Sequence, residues 1–189
     1  MAKQGTELAV SYDDVAAAAQ VLQGVAVRTP LLENRALNEQ AGGRLFFKAE
    51  PLQVTGSFKF RGAYNHISRL DAQARKAGVI AYSSGNHAQG VAAAAHYCGA
   101  PALIVMPEDA PAVKKSGTAA WGAEIITYDR RGTEPREAIA ERLGQERGLS
   151  MVRPYDDRLI MAGQGTTGLE IIQQLAERDL EPERVLVPC

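Results

Sequence analysis

The stretch Thr55-Gly56-Ser57-Phe58-Lys59-Phe60-Arg61-Gly62-Ala63 decides how the rest of this sequence is interpreted. Small polar residues lead into a lysine that two phenylalanines flank, and a helical pattern follows over residues 62–70. Ser57 is a natural N-cap and would place Lys59 in the first helical turn. The helix dipole and the aromatic rings would both disfavour a charged amine, so the pKa of Lys59 is expected to be low. Such a lysine attacks carbonyl compounds, but an ordinary surface lysine remains the alternative.

Downstream of this helix the chain alternates between short apolar segments and longer amphipathic ones. Strands are predicted at residues 78–83, 102–106 and 124–128, and helices at residues 86–98, 111–121 and 133–147. This alternation is typical of right-handed βαβ units in a parallel sheet, so the fold class is α/β. Taken alone, it predicts one continuous sheet.

The two ends of the chain carry weaker patterns. Near the N-terminus, a capping-box-like spacing at residues 11–14 predicts a helix, a second helix is expected at 34–40, and a buried strand at 44–49. Near the C-terminus, residues 163–168 (Gly-Gln-Gly-Thr-Thr-Gly) are interpreted as a structural turn before a helix that runs to about residue 178. Residues 184–187 are predicted to form a final strand.

A second informative stretch is Ser83-Ser84-Gly85-Asn86-His87, where a predicted strand ends and a helix begins. Free backbone N–H groups and the helix dipole favour an anion at such a place, and the residues here add donors without bulk. The stretch therefore predicts a site for a small carboxylate or phosphate. A plain capped turn is the alternative.

The composition excludes several classes of function. The 189 residues are 46% hydrophobic and 23% charged with a net charge of −1, which is ordinary for a globular protein and gives no basis for nucleic-acid or membrane binding. Cys98 and Cys189 are too few for a disulfide framework. Residues 1–10 lack the apolar core of a signal peptide, so a cytoplasmic protein is expected. His66 and His96 have no second ligand at metal spacing, so no metal site is expected.

A longer run resembles a known family. Lys48-Ala49-Glu50-Pro51-Leu52-Gln53-Val54 continues into the lysine stretch, and together they resemble the Schiff-base segment of the threonine dehydratase and serine racemase family. These are fold-type II pyridoxal-phosphate enzymes, which are tryptophan synthase β-like. The resemblance covers nearly the whole chain, including residues 106–111 and 121–124, although Pro51 stands where the family often has asparagine.

The resemblance implies two open parallel-sheet α/β domains. Residues 1–52 and 155–189 would belong to the larger domain, which is incomplete in this chain, and residues 53–154 would form the smaller one. It also implies that the cofactor's phosphate-binding glycine loop begins just past Cys189. The chain alone is therefore expected to be an inactive part of an enzyme that is a homo-oligomer.

The family's site residues can be carried over one by one. Lys59 would hold pyridoxal 5'-phosphate as a Schiff base and act as the catalytic base, Phe58 would stack on the cofactor ring, and Asn86 would bind the ring's oxygen. The substrate's carboxylate would be bound by Ser83, Ser84, Asn86 and His87. Ser84 would also be catalytic in the racemase branch, where a serine returns a proton to the α-carbon from the opposite face.

The function that the resemblance implies is an ammonia-lyase acting on a β-hydroxy amino acid, with a 2-keto acid and ammonia as products. Threonine or serine is the expected substrate, and hydroxyaspartate is also open. An amino-acid racemase is the nearest alternative, and a non-catalytic anion-binding α/β fragment is the alternative from another class. A β-replacing cysteine synthase is disfavoured, because that group usually has threonine where His87 stands.

Overall fold

The computed structural model describes residues 9–187. Expectations that rest on residues 1–8 and on Cys189, including most of the signal-peptide argument, lie outside the described part. The α-helices are α1 Tyr12–Leu22, α2 Arg35–Ala41, α3 Lys59–Ile67, α4 Ala72–Ala77, α5 Asn86–Cys98, α6 Ala112–Ala119, α7 Arg136–Arg147 and α8 Arg158–Ala176. The strands are β1 Leu31–Glu33, β2 Phe46–Lys48, β3 Val79–Tyr82, β4 Ala102–Pro107, β5 Glu124–Tyr128 and β6 Ser150–Met151. A short 3₁₀ helix spans Glu50–Leu52.

The strands form two separate sheets rather than the single sheet that alternation alone predicts. Strands β3 to β6 build a parallel sheet in the order β5-β4-β3-β6, and β1 pairs only with β2, in antiparallel fashion, within the described residues. The pairing is local, because the chain doubles back through α2 between β1 and β2. The predicted α/β class with a parallel sheet is confirmed.

The parallel sheet is covered on both faces, as period-two alternation along its strands requires. Val79, Ala81 and Ile104 point to the face covered by the alanine-rich helix α5. Ile80 and Leu103 point to the opposite face, which α7 covers. All of these residues are almost completely buried, so β3 and β4 lie at the centre of the core.

The predicted turn at residues 163–168 is wrong, because this segment lies inside the continuous helix α8. Two of its glycines, Gly163 and Gly165, permit close helix packing instead. A Cβ on Gly163 would lie 2.6 Å from the Cα of Gly62, and a Cβ on Gly62 would lie 2.7 Å from the carbonyl oxygen of Ile160. Gly62 and Gly163 thus let α8 lie directly against α3, the helix that begins at the lysine. Asp157 caps α8 by accepting from the Ile160 N–H at 2.9 Å.

Other boundary predictions fail where an apolar pattern gives no information about pairing. The buried strand predicted at residues 44–49 is only three residues long, and Phe47 is 46% exposed because a two-stranded ribbon leaves one face open. Residues 184–187 have no regular secondary structure. The short elements α4, β1 and β6 were not predicted, since two to six residues are too few to show a period.

Candidate active site

Lys59 lies in the first turn of helix α3, as predicted, but the helix does not begin through the predicted cap. Phe58 occupies the N-cap position in a helical conformation, and no side chain caps the helix. The hydroxyl of Ser57 is buried and has no hydrogen-bond partner among the described residues. The chain turns at Gly56, whose φ of 70° is accessible to glycine, so the loop enters the helix one residue later than Ser57 capping would require.

The amine of Lys59 lies in a partly enclosed place. Its Nζ donates to the carbonyl oxygen of Pro154 at 2.8 Å and lies 5.2 Å from the ring centroid of Phe58. Burial lowers the pKa of Lys59 below the ordinary lysine value. Phe60 is fully buried and packs its ring against Tyr97, with centroids 5.5 Å apart. The direction of the pKa shift is therefore the expected one, with burial as its cause, and of the two flanking rings it is that of Phe58 that lies beside the amine.

The loop at residues 83–87 connects β3 to α5, as predicted. Gly85 is the N-cap of α5 and contributes no side chain, so the first N–H groups of this thirteen-residue helix are not capped by a side chain. A Cβ placed on Gly85 would meet nothing within 4 Å, which shows that space is open beside the helix start. The loop has the features of an anion site: free donors, the positive end of a dipole and room for a ligand.

His87 is 3% exposed and contributes an orphaned nitrogen to this loop. Its Nε2 lies 3.0 Å from the carbonyl oxygen of Val152, and because a carbonyl only accepts, Nε2 carries the hydrogen. Nδ1 is buried without a partner among the described residues. Burial lowers the pKa of His87 to about 4, and the charges of Lys59 and His66 add to this effect. The imidazole is therefore neutral at neutral pH, and its Nδ1 can accept a hydrogen bond but not donate one.

One short segment brings these parts together. Residues 152–157, here called the connector, follow β6 and lead into α8. His87 bonds the connector at the Val152 oxygen, Lys59 bonds it at the Pro154 oxygen, and His66 Nδ1 lies 3.1 Å from Asp157 Oδ1. Since β6 pairs in parallel with β3, the connector and the 83–87 loop both begin at the carboxyl ends of neighbouring strands, on the same side of the sheet. Sequence reasoning missed the connector, because backbone oxygens have no residue-type signature.

Asn86 and the serines lie at the open side of the loop. Asn86 is exposed, and its Oδ1 accepts from Lys114 Nζ at 3.1 Å. Ser83 and Ser84 are half-buried, and the Ser83 hydroxyl accepts from the Gly85 N–H at 3.2 Å. The residues singled out from the sequence thus fall on two adjoining segments, the start of α3 and the 83–87 loop. Lys114, which comes from α6, was not foreseen.

No helix within residues 9–187 is long and apolar enough to cross a membrane. No group of three or more His, Cys, Asp or Glu side chains in that range is arranged to hold a metal ion.

Comparison with known proteins identifies the family. The model of the family described as pyridoxal-phosphate dependent enzyme matches residues 22–189. The chain is 50% identical over 163 residues to L-threo-3-hydroxyaspartate ammonia-lyase from Pseudomonas sp, a match that covers 86% of this chain and 51% of that protein. It is 42% identical over 169 residues to serine racemase from Schizosaccharomyces pombe, covering 89% of this chain and 52% of that protein.

A solved structure supports the same assignment. The crystal structure of threonine deaminase from T.th. superposes with a TM-score of 0.83 at 46% identity, and the match covers 91% of this chain and 54% of that one. The chain spans about half the length of the curated relatives it matches. Its parallel-sheet fold and a family match that extends over most of its residues confirm the resemblance seen in the sequence. The chain belongs to the pyridoxal-phosphate dependent enzymes, and its structural neighbours are those of fold-type II.

Proposed function

We propose that the protein containing this chain is a pyridoxal-phosphate dependent ammonia-lyase, which converts a β-hydroxy amino acid into a 2-keto acid and ammonia. The observation that carries the proposal is the amine of Lys59. It is partly buried, its pKa is lowered, and it donates to the connector that also holds His87. Relatives named hydroxyaspartate ammonia-lyase and threonine deaminase share this part of the chain, which supports a lyase of a β-hydroxy substrate.

The residues present fit pyridoxal phosphate, the cofactor of this family. An aldehyde reacts with the unprotonated form of an amine, and burial shifts the pKa of Lys59 in the direction that favours this form. A flat ring needs an apolar surface, and the 39% exposed ring of Phe58 lies next to the amine. Anionic oxygens need donors, and the uncapped start of α5 supplies them. The orphaned Nδ1 of His87 is a further polar group in this loop that lacks a partner among the described residues.

In this proposal Lys59 and Phe58 would hold the cofactor, and Asn86 would donate to its ring oxygen. When bound, pyridoxal phosphate stabilises the negative charge that develops on the α-carbon of an amino acid. The amine of Lys59, with its lowered pKa, would remove the proton from that carbon. The Pro154 oxygen would accept a hydrogen bond from this amine and so orient it.

The substrate's α-carboxylate would be bound by the 83–87 loop. Backbone N–H groups at the start of α5 and the hydroxyls of Ser83 and Ser84 are the donors available there. His87 would contribute through its backbone N–H, because its ring Nδ1 is an acceptor in the tautomer that the Val152 oxygen selects. This refines the role expected of the histidine from sequence.

A racemase is the second candidate, and one observation favours it. The hydroxyl of Ser84 is half-buried in the loop and makes no hydrogen bond to any described residue, so it is available to a bound substrate. Serine racemase from Schizosaccharomyces pombe is also among the relatives. Proton return by Ser84 would give the D-amino acid instead of elimination.

The test is to incubate the full-length protein and pyridoxal phosphate with L-serine, L-threonine and L-threo-3-hydroxyaspartate, and to measure keto acid and D-amino acid separately. Keto-acid release above that of a protein-free control supports the lyase. D-amino acid without keto acid supports the racemase instead. A protein that leaves the absorption spectrum of the added cofactor unchanged and produces neither product would be the non-catalytic anion-binding fragment.

Two substitutions in the loop are expected to have different effects. Ser84→Ala should lower kcat/KM by about tenfold, which is the loss of one hydrogen bond to a charged group, and leave the cofactor's absorption spectrum unchanged. Asn86→Ala should shift that spectrum, because a donor to the ring oxygen is lost. Ser116→Ala, an exposed hydroxyl on α6, is the matched control. If both loop variants keep wild-type spectra and kinetics, the loop is only a helix cap.

A further inference from the structure

Lys114 on α6 brings a positive charge to the start of α5, at the 83–87 loop. Its Nζ lies 3.1 Å from Asn86 Oδ1, at the first residue of α5. Within residues 9–187 no carboxylate lies within 4.0 Å of this amine, and of the lysines in this range only Lys48 is paired with one. The adjacent Lys115 points elsewhere and donates to the Glu108 carbonyl oxygen at 2.9 Å.

Packing between α5 and α6 holds Lys114 in this place. One helical turn beyond the Lys114–Asn86 contact, Gly117 packs against Gln89, and a Cβ on Gly117 would lie 3.3 Å from the Gln89 side chain. The buried hydroxyl of Thr118 donates to the backbone oxygen of Lys114 at 2.9 Å. The backbone of Lys114 is therefore fixed relative to the start of α5, and only the lysine side chain itself is free to move.

The contact also orients the amide of Asn86. Because the ammonium group only donates, it selects the amide oxygen of Asn86 and leaves the NH₂ group available to a ligand. The start of α5 thus offers two kinds of anion binding side by side. The helix N–H groups and the Asn86 NH₂ can take one anionic group, and the ammonium of Lys114 can take a second one next to it.

We propose that Lys114 is a specificity-determining residue that binds a second carboxylate, so that the preferred substrate is a β-hydroxy amino acid with a carboxylate side chain. This rests on the proposed function of the same site. The uncharged side chains of serine and threonine gain nothing from an ammonium group, whereas a side-chain carboxylate forms an ion pair with it. Recognition by a charge that one substrate has and another lacks discriminates more strongly than a difference in size.

Kinetics of the full-length holoenzyme test the proposal. Lys114→Met should lower the ratio of kcat/KM for L-threo-3-hydroxyaspartate to kcat/KM for L-serine by about tenfold or more, since one charged hydrogen bond is lost. Lys114→Glu should lower the ratio further through repulsion. Lys115→Met, which removes a neighbouring ammonium that points away from Asn86, should leave the ratio unchanged.

Binding gives a second readout that does not depend on turnover. Succinate and butyrate have the same number of carbons but differ by one carboxylate. Calorimetric titration of the holoenzyme with each ligand therefore measures how much the second carboxylate contributes to the binding affinity. Wild type should bind succinate more tightly, and Lys114→Met should abolish the difference. Unchanged selectivity in both assays, or an equal loss for all substrates, would overturn the proposal and leave Lys114 as a residue that only orients Asn86. Failure of wild type to release keto acid from any substrate would instead overturn the proposed function.

Discussion

Replacing Lys59 by alanine is expected to reduce keto-acid release by the full-length protein to below about one hundredth of the wild-type rate. The substitution removes both the amine that would hold the cofactor and the base that would take the α-proton, and loss of a positioned base alone costs about 10²–10⁴-fold. Burial lowers the pKa of this amine, and its hydrogen bond to the Pro154 oxygen holds it beside the connector.

Two further variants separate this effect from loss of charge or of stability. Lys59→Arg keeps the positive charge but cannot bond covalently to an aldehyde, so it should be as inactive as the alanine variant. Lys76→Ala removes an exposed lysine on α4 and should behave like wild type. Activity of Lys59→Ala well above one hundredth of wild type would rule out the role assigned to this lysine.

Arg61→Met is expected to lower the free energy of unfolding of the chain by about 3–5 kcal/mol. Arg61 is fully buried two residues after Lys59, and its guanidinium bonds Glu50 at 2.8 Å and Glu170 at 2.6 Å. Lys48 lies 2.6 Å from the same Glu170 and completes a buried cluster of two positive and two negative groups. Removing the arginine leaves a net negative charge in the core, and urea unfolding measures the cost.

The control and the pH dependence follow from the same geometry. Arg35→Met breaks an exposed pair with Glu39 and should lower the free energy of unfolding by less than about 0.5 kcal/mol.

Burial alone would raise the pKa of Glu170, but bonds to Arg61 and Lys48 hold it below the ordinary glutamate value. This depressed pKa stabilises wild type at neutral pH, and the benefit is lost as pH falls through it.

In Arg61→Met the pairing is weakened and burial raises the pKa of Glu170, so this carboxyl takes up a proton at a higher pH than in wild type. The stability gap between variant and wild type should therefore narrow as pH is lowered through the glutamate range. A gap that stays constant or widens in acid would mean that lost packing, rather than uncompensated charge, causes the destabilisation.

The sequence predicted the helices and strands that have a clear hydrophobic pattern. It failed where contacts with distant parts of the chain determine the local structure. Strands β3, β4 and β5 were predicted within a residue or so, because short continuous apolar runs between helices are typical of buried parallel strands. Residues 163–168 were mistaken for a turn, because glycines that permit contact with Gly62 look in sequence like glycines that break a helix. Ser57 was mistaken for the cap, since a serine side chain at this position is compatible with either geometry.

For the candidate site, the sequence identified the residues whose chemistry depends on side-chain type. Lys59 and the 83–87 loop were found, and they adjoin across the connector. The Pro154 oxygen and the tautomer of His87 could not be found, because both depend on which backbone atoms fold against them. Lys114 was missed for a related reason. Its sequence context is that of an ordinary helix lysine, and only the packing of α6 on α5 places it beside Asn86.

Covalent trapping shows directly whether Lys59 is the amine that holds pyridoxal phosphate. The protein is incubated with the cofactor, reduced with borohydride, digested with trypsin and mapped by mass spectrometry. A modified Lys59 resists trypsin, so we expect a cofactor-bearing peptide that spans residues 49–61, between cleavage at Lys48 and at Arg61. Trapped cofactor on another lysine, such as Lys114, with residues 49–61 unmodified would rule out Lys59 as this amine.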